Sequence, residues 1–442
     1  MRLSEIEAGM QKQGVKEVAL QFTDLSGVMH SLWVPADQVS RVAAEGIHFD
    51  GSSVDMVDIS QSDLKLIPDL NTFVALPASI FPHRVARMVC DVFEPDSDRP
   101  LAIDPRFLLK RVIGDSRKTL GEDVTYNACS EIEYFLFDRD GSGNLRRHDE
   151  GGYLASPPAD QGIDPRLEIT ENLRDVGVAV EKHHHEVPPG KYELNIPYSD
   201  ALEMADTVYL VKMVVKMTAV RAGLTASFMP KPFHDGYGAG LHTHVSLTNW
   251  KRKRDLFYDP KEPGGVSKMA LNFIAGLLAH AKGLAALTNP SVNSYKRLVP
   301  GWEAPVYLSW AKYNRSVLVR VPPGKEMKAR IEYRPTDGSC NFYTAYAAIL
   351  AAGLDGIRKK IEPPAPVEED IYRMDETRRA ERGIEVLPGS LGEALAEFSA
   401  DGYLKESLGS PFCDRFLRIK EKEWREFSRT VHEWERKKYL DV

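Results

Sequence analysis

The sequence predicts a two-domain protein of the α+β class. Its 442 residues exceed the usual size of one hydrophobic core, so two domains are expected. Apolar and polar side chains alternate between short turns in the first hundred residues, for example at 15–22, which predicts a small strand-rich α+β domain. The Asp- and Pro-rich stretch 94–105 then precedes a helical pattern. We therefore predict domains at residues 1–104 and 105–442.

Composition and charge exclude several classes of protein. Hydrophobic residues make up 43% of the chain and charged residues 27%, which is ordinary for a globular protein. A net charge of −7 gives no indication of the basic surface that binding to nucleic acid requires. The four cysteines are scattered, so neither a disulfide framework nor a zinc knuckle is expected.

The hydrophobic pattern predicts a cytoplasmic location. The first ten residues are polar and lack the apolar core of a secretion signal. The longest apolar run, 270–289, is interrupted by His280 and Lys282, which favours a buried helix over a membrane span.

A hairpin is predicted at 181–193, where two strand-like segments flank a Pro-Gly turn. Pairing of these strands would bring Glu186 and Glu193 onto one face. Two carboxylates about 4 Å apart repel by roughly 4 kcal/mol at an effective dielectric of about 20. A positive group should therefore lie between them, and the candidates are a Lys or Arg side chain, a shared proton or a divalent metal ion.

Two further predicted strands carry ionisable residues on one face. In 130–137 the alternation places Glu131 and Glu133 together, which alone would also fit a solvated sheet face. In 241–247 it places His242, His244 and Ser246 together.

A fourth predicted strand, at 330–334, carries Arg330, Glu332 and Arg334 in the same alternating pattern. Buried charges must be paired or bound to metal, so four such strands in one sheet predict a pocket.

The residue types of this pocket predict its chemistry. Five glutamates and one imidazole form a hard ligand set that suits Mg²⁺ or Mn²⁺ and is large enough for two ions. Arg315 and Arg320 precede Arg330 and Arg334 in the chain, and guanidinium groups match phosphate and carboxylate oxygens. A surface ion pair is the alternative for any one arginine. Together these groups indicate phosphoryl transfer from a nucleotide, although the chain has no Walker loop.

The motifs resemble those of type I glutamine synthetase, in the same order and with similar spacing over nearly the whole chain. The stretches that carry the resemblance are FDGSS, SEIEYFLFD, HHHEVPPGKYE, ASFMPKPF, GAGLHTHVSL, NPSVNSYKRLVPGWEAPV, NRS and RIEYRP. The resemblance implies a β-grasp-like N-terminal domain and a catalytic domain with a curved antiparallel sheet. It also implies a homo-oligomer, a dodecamer of two hexameric rings whose active sites are shared between neighbouring subunits.

The implied activity is the ATP-dependent formation of glutamine from glutamate and ammonia through γ-glutamyl phosphate. The implied ligands of one metal ion are Glu133, Glu186 and Glu193, and those of the second are Glu131, His242 and Glu332. The residues implied to bind glutamate or the transferred phosphoryl group are Ser53, Tyr237, Gly238, Arg297, Glu303, Arg315 and Arg334. The residues implied to contact the nucleotide are Glu181, Tyr198, His244, Ser246, Arg315, Arg320 and Lys328.

Two acidic residues have implied roles in handling ammonia. Asp50 matches the residue that binds ammonium and removes its proton, reaching in from the adjacent subunit. Glu303 matches the residue of a flap that closes over the intermediate. An acyl phosphate must be shielded from water, and ammonium must lose a proton before it can attack.

The sequence departs from the family at four places. Tyr237 stands where the family has Asn before the glutamate-binding turn, and the loop 54–60 is one residue shorter. The segment PTDGSCNFY follows Arg334 where FPDPxxNPY is usual, and PPGKEMKARIE has one arginine where two are common. These changes leave a γ-glutamyl-amine ligase, or a related enzyme with another acid, as the alternative. A non-catalytic homologue is disfavoured because the sequence has a ligand residue at all six implied metal-binding positions.

Overall fold

The first sheet lies in the N-terminal part of the chain. A computed structural model describes residues 1–442, and its first sheet has six strands. The elements are α1 (Leu3–Gln13), β1 (Glu17–Thr23), β2 (Met29–Pro35), α2 (Val39–Glu45), β3 (Ile47–Asp50), β4 (Asp63–Pro68), β5 (Val74–Ala75) and β6 (Val85–Phe93). The strand order is β2-β1-β6-β4-β3, with β5 paired to β6. Only β1 and β6 pair in parallel. The predicted strand-rich α+β composition of this part is confirmed.

A long helix follows the first sheet. Helix α3 (Pro105–Leu120) begins at a proline, and Asp104 caps it by accepting hydrogen bonds from the backbone N–H groups of Arg106 and Phe107. Proline at the first helical position and an acidic cap are common start signals. The boundary between residues 104 and 105 coincides with this start and stays a prediction.

The second sheet has eleven strands and is curled into a half-barrel. They are β7 (Val124–Arg139), β8 (Leu145–Arg147), β9 (Lys182–His185), β10 (Lys191–Asn195), β11 (Ser199–Asp200), β12 (Thr225–Ser227), β13 (Leu241–Asn249), β14 (Arg254–Asp255), β15 (Trp310–Ala311), β16 (Val319–Arg320) and β17 (Ile331–Tyr333). The main order is β15-β16-β17-β13-β7-β10-β9, and all pairs except β15–β16 are antiparallel.

The register of this sheet brings the predicted motifs together. Glu193 lies opposite Glu133 across β10 and β7, and His242 lies opposite Glu131 across β13 and β7. His244 in turn pairs with Glu332 of β17. Because side chains alternate between the two faces of a strand, the four motifs converge on one face. The prediction that they share one sheet is confirmed.

Helices cover the sheet and build the C-terminal part. They are α4 (Ile163–Asp175), α5 (Ala201–Arg221), α6 (Lys268–Ala279), α7 (Ala281–Thr288), α8 (Ser294–Arg297), α9 (Phe342–Lys359), α10 (Glu376–Glu381), α11 (Leu391–Ala400), α12 (Gly402–Leu408), α13 (Ser410–Arg429) and α14 (Glu433–Tyr439). Four of these helices, α11 to α14, lie beyond residue 390. All four cysteines are free and buried.

Helices α6 and α9 pack unusually closely. A Cβ atom at Gly276 would lie 2.1 Å from the backbone oxygen of Ala352, and one at Gly356 would lie 2.0 Å from that of Asn272. Glycine is therefore required at both contacts. The apolar run predicted as one buried helix forms two, α6 and α7, bent by 76° at their junction. No single helix of the chain has the length and apolar composition needed to cross a membrane, and only this bent pair together has both.

Candidate active site

A polar cavity of about 570 Å³ opens on the curled sheet. It collects acidic side chains from β7 and β10 and an imidazole from β13, together with arginines from α8 and the loops around β16 and β17. The predicted site residues that line it are Glu131, Glu133, Glu186, Glu193, Tyr237, Gly238, His242, Arg297, Glu303, Arg315 and Arg334.

One carboxylate–imidazole cluster lies where β7, β13 and β17 meet. Oε1 of Glu131 lies 3.0 Å from Nε2 of His244, and Oε2 lies 3.2 Å from Nδ1 of His242. The same His242 nitrogen is 3.5 Å from Oε1 of Glu332. Burial raises the pKa of Glu131, but hydrogen bonds from the two imidazoles outweigh it and hold the pKa below its ordinary value.

The Glu332 carboxylate in this cluster is fully buried and carries two guanidinium partners. Arg334 donates to Oε1 at 2.6 Å, and Arg320 donates to Oε2. Burial raises the pKa of Glu332, whereas the charges of Arg334, His244 and His242 lower it below its ordinary value. Glu332 is therefore ionised and shared between the arginines and the imidazole cluster.

A second acidic cluster lies on the β9–β10 hairpin. His184 bridges two carboxylates, with Nε2 3.3 Å from Oε1 of Glu193 and Nδ1 3.6 Å from Oε1 of Glu186. Glu133 of the neighbouring strand β7 lies opposite Glu193, and its Oε2 is 2.8 Å from Nζ of Lys191. Burial raises the pKa of Glu186, Lys191 opposes that shift, and the nearby Glu133 and Glu193 add to it. The cluster thus carries more negative than positive charge.

Two arginines face the cavity without a carboxylate partner. Arg297 is buried, and its guanidinium donates only to backbone oxygens, at 2.5 Å to Pro335 and 3.3 Å to Arg334. Arg315 is exposed and makes no ion pair within 4.0 Å. Unpaired guanidinium groups beside a cavity suit anionic ligands such as carboxylate or phosphate.

A loop with unusual backbone geometry forms the rim of the cavity. Glu303 has a φ of 53°, which is uncommon for a residue other than glycine, and Gly301 has a φ of 89°. The ring of Trp302 lies 6.3 Å from that of Tyr237 in an edge-to-face arrangement, and Nζ of Lys231 lies 4.6 Å from the Trp302 ring. These contacts hold the rim against the glycine turn that Tyr237 precedes.

Several predicted residues lie outside the cavity lining. Asp50, at the end of β3, and Ser53, in the turn that follows, are exposed. Hydrogen bonds from Ser52 and Ser53 lower the pKa of Asp50 to about 2. Arg415 of α13 donates to the backbone oxygens of Asp55 and Val57 and so fastens the loop that follows. The predicted nucleotide residues outside the lining are Glu181, Tyr198, His244, Ser246, Arg320 and Lys328.

Arg330 differs from its sequence prediction. It was expected to point with Glu332 and Arg334, but it lines a separate cavity of about 170 Å³ and donates to the backbone oxygens of Pro323 and Lys328. Strand β17 begins at Ile331, so the alternation does not extend back to Arg330.

Two family matches account for nearly the whole chain. Residues 14–95 match the glutamine synthetase beta-Grasp domain, and residues 102–439 match the glutamine synthetase catalytic domain. The chain belongs to the glutamine synthetase family. It is an enzyme of the ligase class, and the predicted family and fold class are confirmed.

Glutamine synthetases from other organisms are similar over their full length. That of Thermotoga maritima is 44% identical, with 100% of both chains covered. That of Thermus thermophilus is 43% identical, with 99% of this chain and 98% of the relative covered. A solved structure described as GmaS without ligand has a TM-score of 0.89 and 33% identity, with 100% of both chains covered. A GmaS/ADP complex has a TM-score of 0.89, 34% identity and 99% coverage of both chains.

Membership in the glutamine synthetase family implies ATP use and divalent metal ions. The donor atoms fit such ions, since they are carboxylate oxygens and imidazole nitrogens without thiolates. Potential ligand atoms lie within 4.8 Å of one another in two groups. One group is Glu131, His244 and Glu332, and the other is His184, Glu186 and Glu193.

These two groups differ in one member each from the sets that the glutamine synthetase resemblance implies. His244 stands in the first group where the resemblance implies His242, although His242 contacts both Glu131 and Glu332. His184 stands in the second group where the resemblance implies Glu133, which pairs with Lys191. The sequence analysis did not single out His184 or Lys191. Both lie inside the motif 181–193, and Lys191 stands two residues before Glu193, so alternation could have placed it on the same face.

Proposed function

We propose that this chain makes glutamine from glutamate and ammonia, with ATP as the phosphoryl donor and γ-glutamyl phosphate as the intermediate. The observation that carries the proposal is one cavity in which two acidic clusters face unpaired arginines, in a chain that is 41–44% identical to eight glutamine synthetases. A carboxylate is a poor acyl donor, so the glutamate side chain must be phosphorylated before an amine can displace the phosphate.

Two divalent ions, Mg²⁺ or Mn²⁺, belong at the acidic clusters in this proposal. Glu131, His242 and Glu332, with His244 beside them, would hold one ion. The β9–β10 hairpin, through Glu186 and Glu193 with Glu133 opposite, would hold the other. When bound, the ions neutralise phosphate oxygens and stabilise the charge on the transferring phosphoryl group.

The buried arginines would orient glutamate. Arg297 and Arg334 suit its carboxylates, and Tyr237 and Gly238 lie beside them on the cavity wall. A Cβ atom at Gly238 would lie 2.3 Å from the backbone oxygen of Pro230, so the turn requires glycine at this close approach. Arg315, which is unpaired, would stabilise the phosphoryl group as it moves.

The nucleotide would lie next to the first acidic cluster. On this side, His244 and Ser246 lie on strand β13, and Glu181 immediately precedes β9. All three are proposed to contact ATP. The further residues proposed to contact ATP are Tyr198, Arg320 and Lys328.

Asp50 would serve the active site of a neighbouring subunit. Its pKa of about 2 keeps it ionised at neutral pH, as binding of ammonium requires. In its own chain it does not line the cavity, which supports a shared site with Ser53 beside it. We propose a dodecamer of two hexameric rings, working in the cytoplasm, in which Glu303 closes the rim over the intermediate.

Substrate turnover tests the proposal directly. Phosphate release and product formation should be measured with ATP, Mg²⁺ and glutamate, with ammonia compared against methylamine, ethylamine and a polyamine. Ammonia should be preferred by at least about tenfold in kcat/KM, which corresponds to about 1.4 kcal/mol. Preference for an alkylamine would instead make the chain a γ-glutamyl-amine ligase, the alternative that its relatives do not favour.

A further inference from the structure

A buried carboxylate contacts the β9–β10 hairpin from the side away from the cavity. Asp149 lies in the connection between β8 and α4, is 4% exposed and accepts five hydrogen bonds. Three of the donors belong to the hairpin. They are Nε2 of His185 at 2.9 Å, the backbone N–H of Gly190 at 2.8 Å and the hydroxyl of Tyr192 at 2.8 Å. One side chain thus contacts both strands and the turn between them.

These donors are close neighbours of two residues proposed to hold a metal ion. His185 directly precedes Glu186, and Tyr192 directly precedes Glu193. Glu186 and Glu193 line the cavity, whereas His185 and Tyr192 do not, as expected when successive side chains alternate between the faces of a strand. Asp149 therefore contacts the opposite side of the hairpin from the acidic cluster.

His185 connects Asp149 to the backbone of Glu186. The His185 ring is buried, and its Nδ1 lies 2.6 Å from the backbone oxygen of Glu186. Because both ring nitrogens face acceptors, both donate and the ring is an imidazolium. The Asp149–His185 pair thus fixes the carbonyl group of a residue whose carboxylate is proposed to bind metal.

The surroundings of this pair are closely packed. A Cβ atom at Gly151 would lie 2.6 Å from Nε2 of His185, and one at Gly162 would lie 2.3 Å from the hydroxyl oxygen of Tyr192. Both positions therefore require glycine. The backbone N–H of Leu154 donates to the backbone oxygen of His185 at 3.0 Å. The connection between β8 and α4 thus packs directly on the hairpin.

We propose that Asp149 is a positioning residue that holds Glu186 and Glu193 at metal-binding distance in the absence of the ion. The two carboxylates repel each other, and His184 between them offsets part of that repulsion. The contacts of Asp149 keep the turn from opening under the remainder. Groups that orient a metal ligand commonly change metal affinity by about 10- to 100-fold when they are removed. This inference rests on the proposed function, since it concerns a metal site that the proposed reaction uses.

Mn²⁺ binding to the full-length protein without nucleotide tests the inference, with free Mn²⁺ followed by electron paramagnetic resonance. Asp149→Asn should weaken one of the two sites by about tenfold or more and leave the other within about twofold. The Mg²⁺ concentration for half-maximal turnover should rise, while kcat at saturating Mg²⁺ should stay within about twofold of the wild type. A purely structural role would instead lower kcat at every Mg²⁺ concentration.

Hydrogen exchange of the metal-free protein reports on the turn itself. The backbone N–H of Glu186 donates to Lys191, that of Lys191 donates to Pro188, and that of Gly190 donates to Asp149. In Asp149→Asn these three amides should exchange faster by about tenfold or more, because the turn opens more often. Added Mn²⁺ should slow the exchange again.

Asp355 provides a matched control away from the cavity. It is 3% exposed, and its carboxylate also accepts a hydrogen bond from a buried histidine, His280, at 3.1 Å. Asp355→Asn should likewise destabilise the protein, since it breaks a buried ion pair, but both Mn²⁺ sites should stay within about twofold of the wild type.

The double variant Asp149→Asn/His185→Gln separates positioning from the cost of burying an unpaired cation. Removing both charges should recover stability that Asp149→Asn loses, whereas the weakened Mn²⁺ site should stay weak because the turn is still not held. Tyr192→Phe applies the same test to a protein that keeps the buried ion pair. It removes one hydrogen bond to Asp149 and should weaken the same site by about threefold.

Two results would overturn the inference and leave the proposed function standing, since glutamine formation by the wild type is measured separately. One is Mn²⁺ binding in Asp149→Asn or Tyr192→Phe that equals that of the wild type. The other is recovery of Mn²⁺ binding in the double variant. Absence of Mn²⁺ binding to the wild type would overturn the metal sites of the proposed function together with the inference.

Discussion

The backbone N–H of Gly240 donates a hydrogen bond to the buried carboxylate of Glu133. The same glycine lies under the guanidinium group of Arg297, where an added Cβ atom would be 2.5 Å from Nη2. One backbone position therefore supports both the acidic cluster and the arginine proposed to hold glutamate.

Gly240→Ala should raise the KM for glutamate about tenfold or more, because the methyl group displaces Arg297 from its buried position. Steady-state kinetics with varied glutamate at saturating ATP and ammonia measure the change. Gly402→Ala is the control, since nothing lies within 4 Å of a Cβ atom there. An unchanged KM in Gly240→Ala would argue against a glutamate-binding role for Arg297.

Arg315→Met should lower kcat by about 100-fold, because the unpaired guanidinium group is proposed to stabilise the transferring phosphoryl group. The free energy of unfolding should change by less than about 0.5 kcal/mol, since Arg315 is exposed and has no ion pair to lose. Turnover assays and urea denaturation measure the two quantities. Arg146→Met, at an exposed arginine 3.5 Å from Asp138, should leave kcat unchanged.

Asp50→Asn should abolish most glutamine formation at low ammonium concentration. Mixed oligomers of two inactive variants should show whether active sites are shared between subunits. If Asp50 acts in the neighbouring subunit, hybrids of Asp50→Asn and Arg315→Met chains should regain up to about a quarter of wild-type activity, since random assembly joins intact partners at that frequency. Asp55→Asn on the same loop is the control and should remain active. Hybrids that stay inactive would place Asp50 outside a shared site.

His280 should make stability depend on pH. Its ring lies between two carboxylates, with Nδ1 2.6 Å from Asp401 and Nε2 3.1 Å from Asp355. Burial lowers the pKa of His280, but the hydrogen bonds that its ring donates to Asp401 and Asp355 outweigh it and raise the pKa above 6.5. The folded protein thus holds this proton more tightly than the unfolded chain. The stability that protonated His280 contributes is fully present below pH 6.5, and it is lost as the pH rises through the pKa of His280 in the folded protein.

His280→Asn should destabilise the protein by on the order of 3 kcal/mol near pH 6, because it leaves Asp401 without its cation and Asp355 with Lys359 alone. The pKa of Asp401 is lowered in the folded protein. The stability that ionised Asp401 contributes is therefore lost only when the pH falls through its folded-state pKa. The difference from the wild type should therefore be largest between about pH 4 and 6.5 and shrink above that range. Denaturation curves at several pH values measure it, with the exposed His83→Asn as control. A difference that grows at higher pH would contradict this assignment.

The sequence predicted the strands of the site because each shows its own alternation. Glu131 and Glu133 in β7, and His242 and His244 in β13, were placed on one face by a period of two alone. The family resemblance then related the strands to one another. Arg330 was misplaced because the strand start at Ile331 depends on pairing with β13, which no local pattern reveals.

Contacts between distant segments could not be predicted. The ammonium of Lys191 meets Glu133 through the register between β10 and β7. Between Glu186 and Glu193 the sequence alone left a Lys or Arg side chain, a shared proton and a divalent metal ion as candidates, and the imidazole of His184 lies within 3.6 Å of both carboxylates. The packing of Trp302 on Tyr237 joins a rim loop to a turn far away in the chain. Such pairs depend on how the sheet curls and on side-chain packing.

Strand β7 carries Glu131 and Glu133 within a single run of sixteen residues. An insertion or deletion of one residue before Glu131 would turn both carboxylates towards the opposite face of the sheet at once. Changes in chain length can therefore be absorbed only in the connections beyond Val124 and Arg139, and the spacing between the two acidic clusters is fixed by the pitch of one strand rather than by any loop.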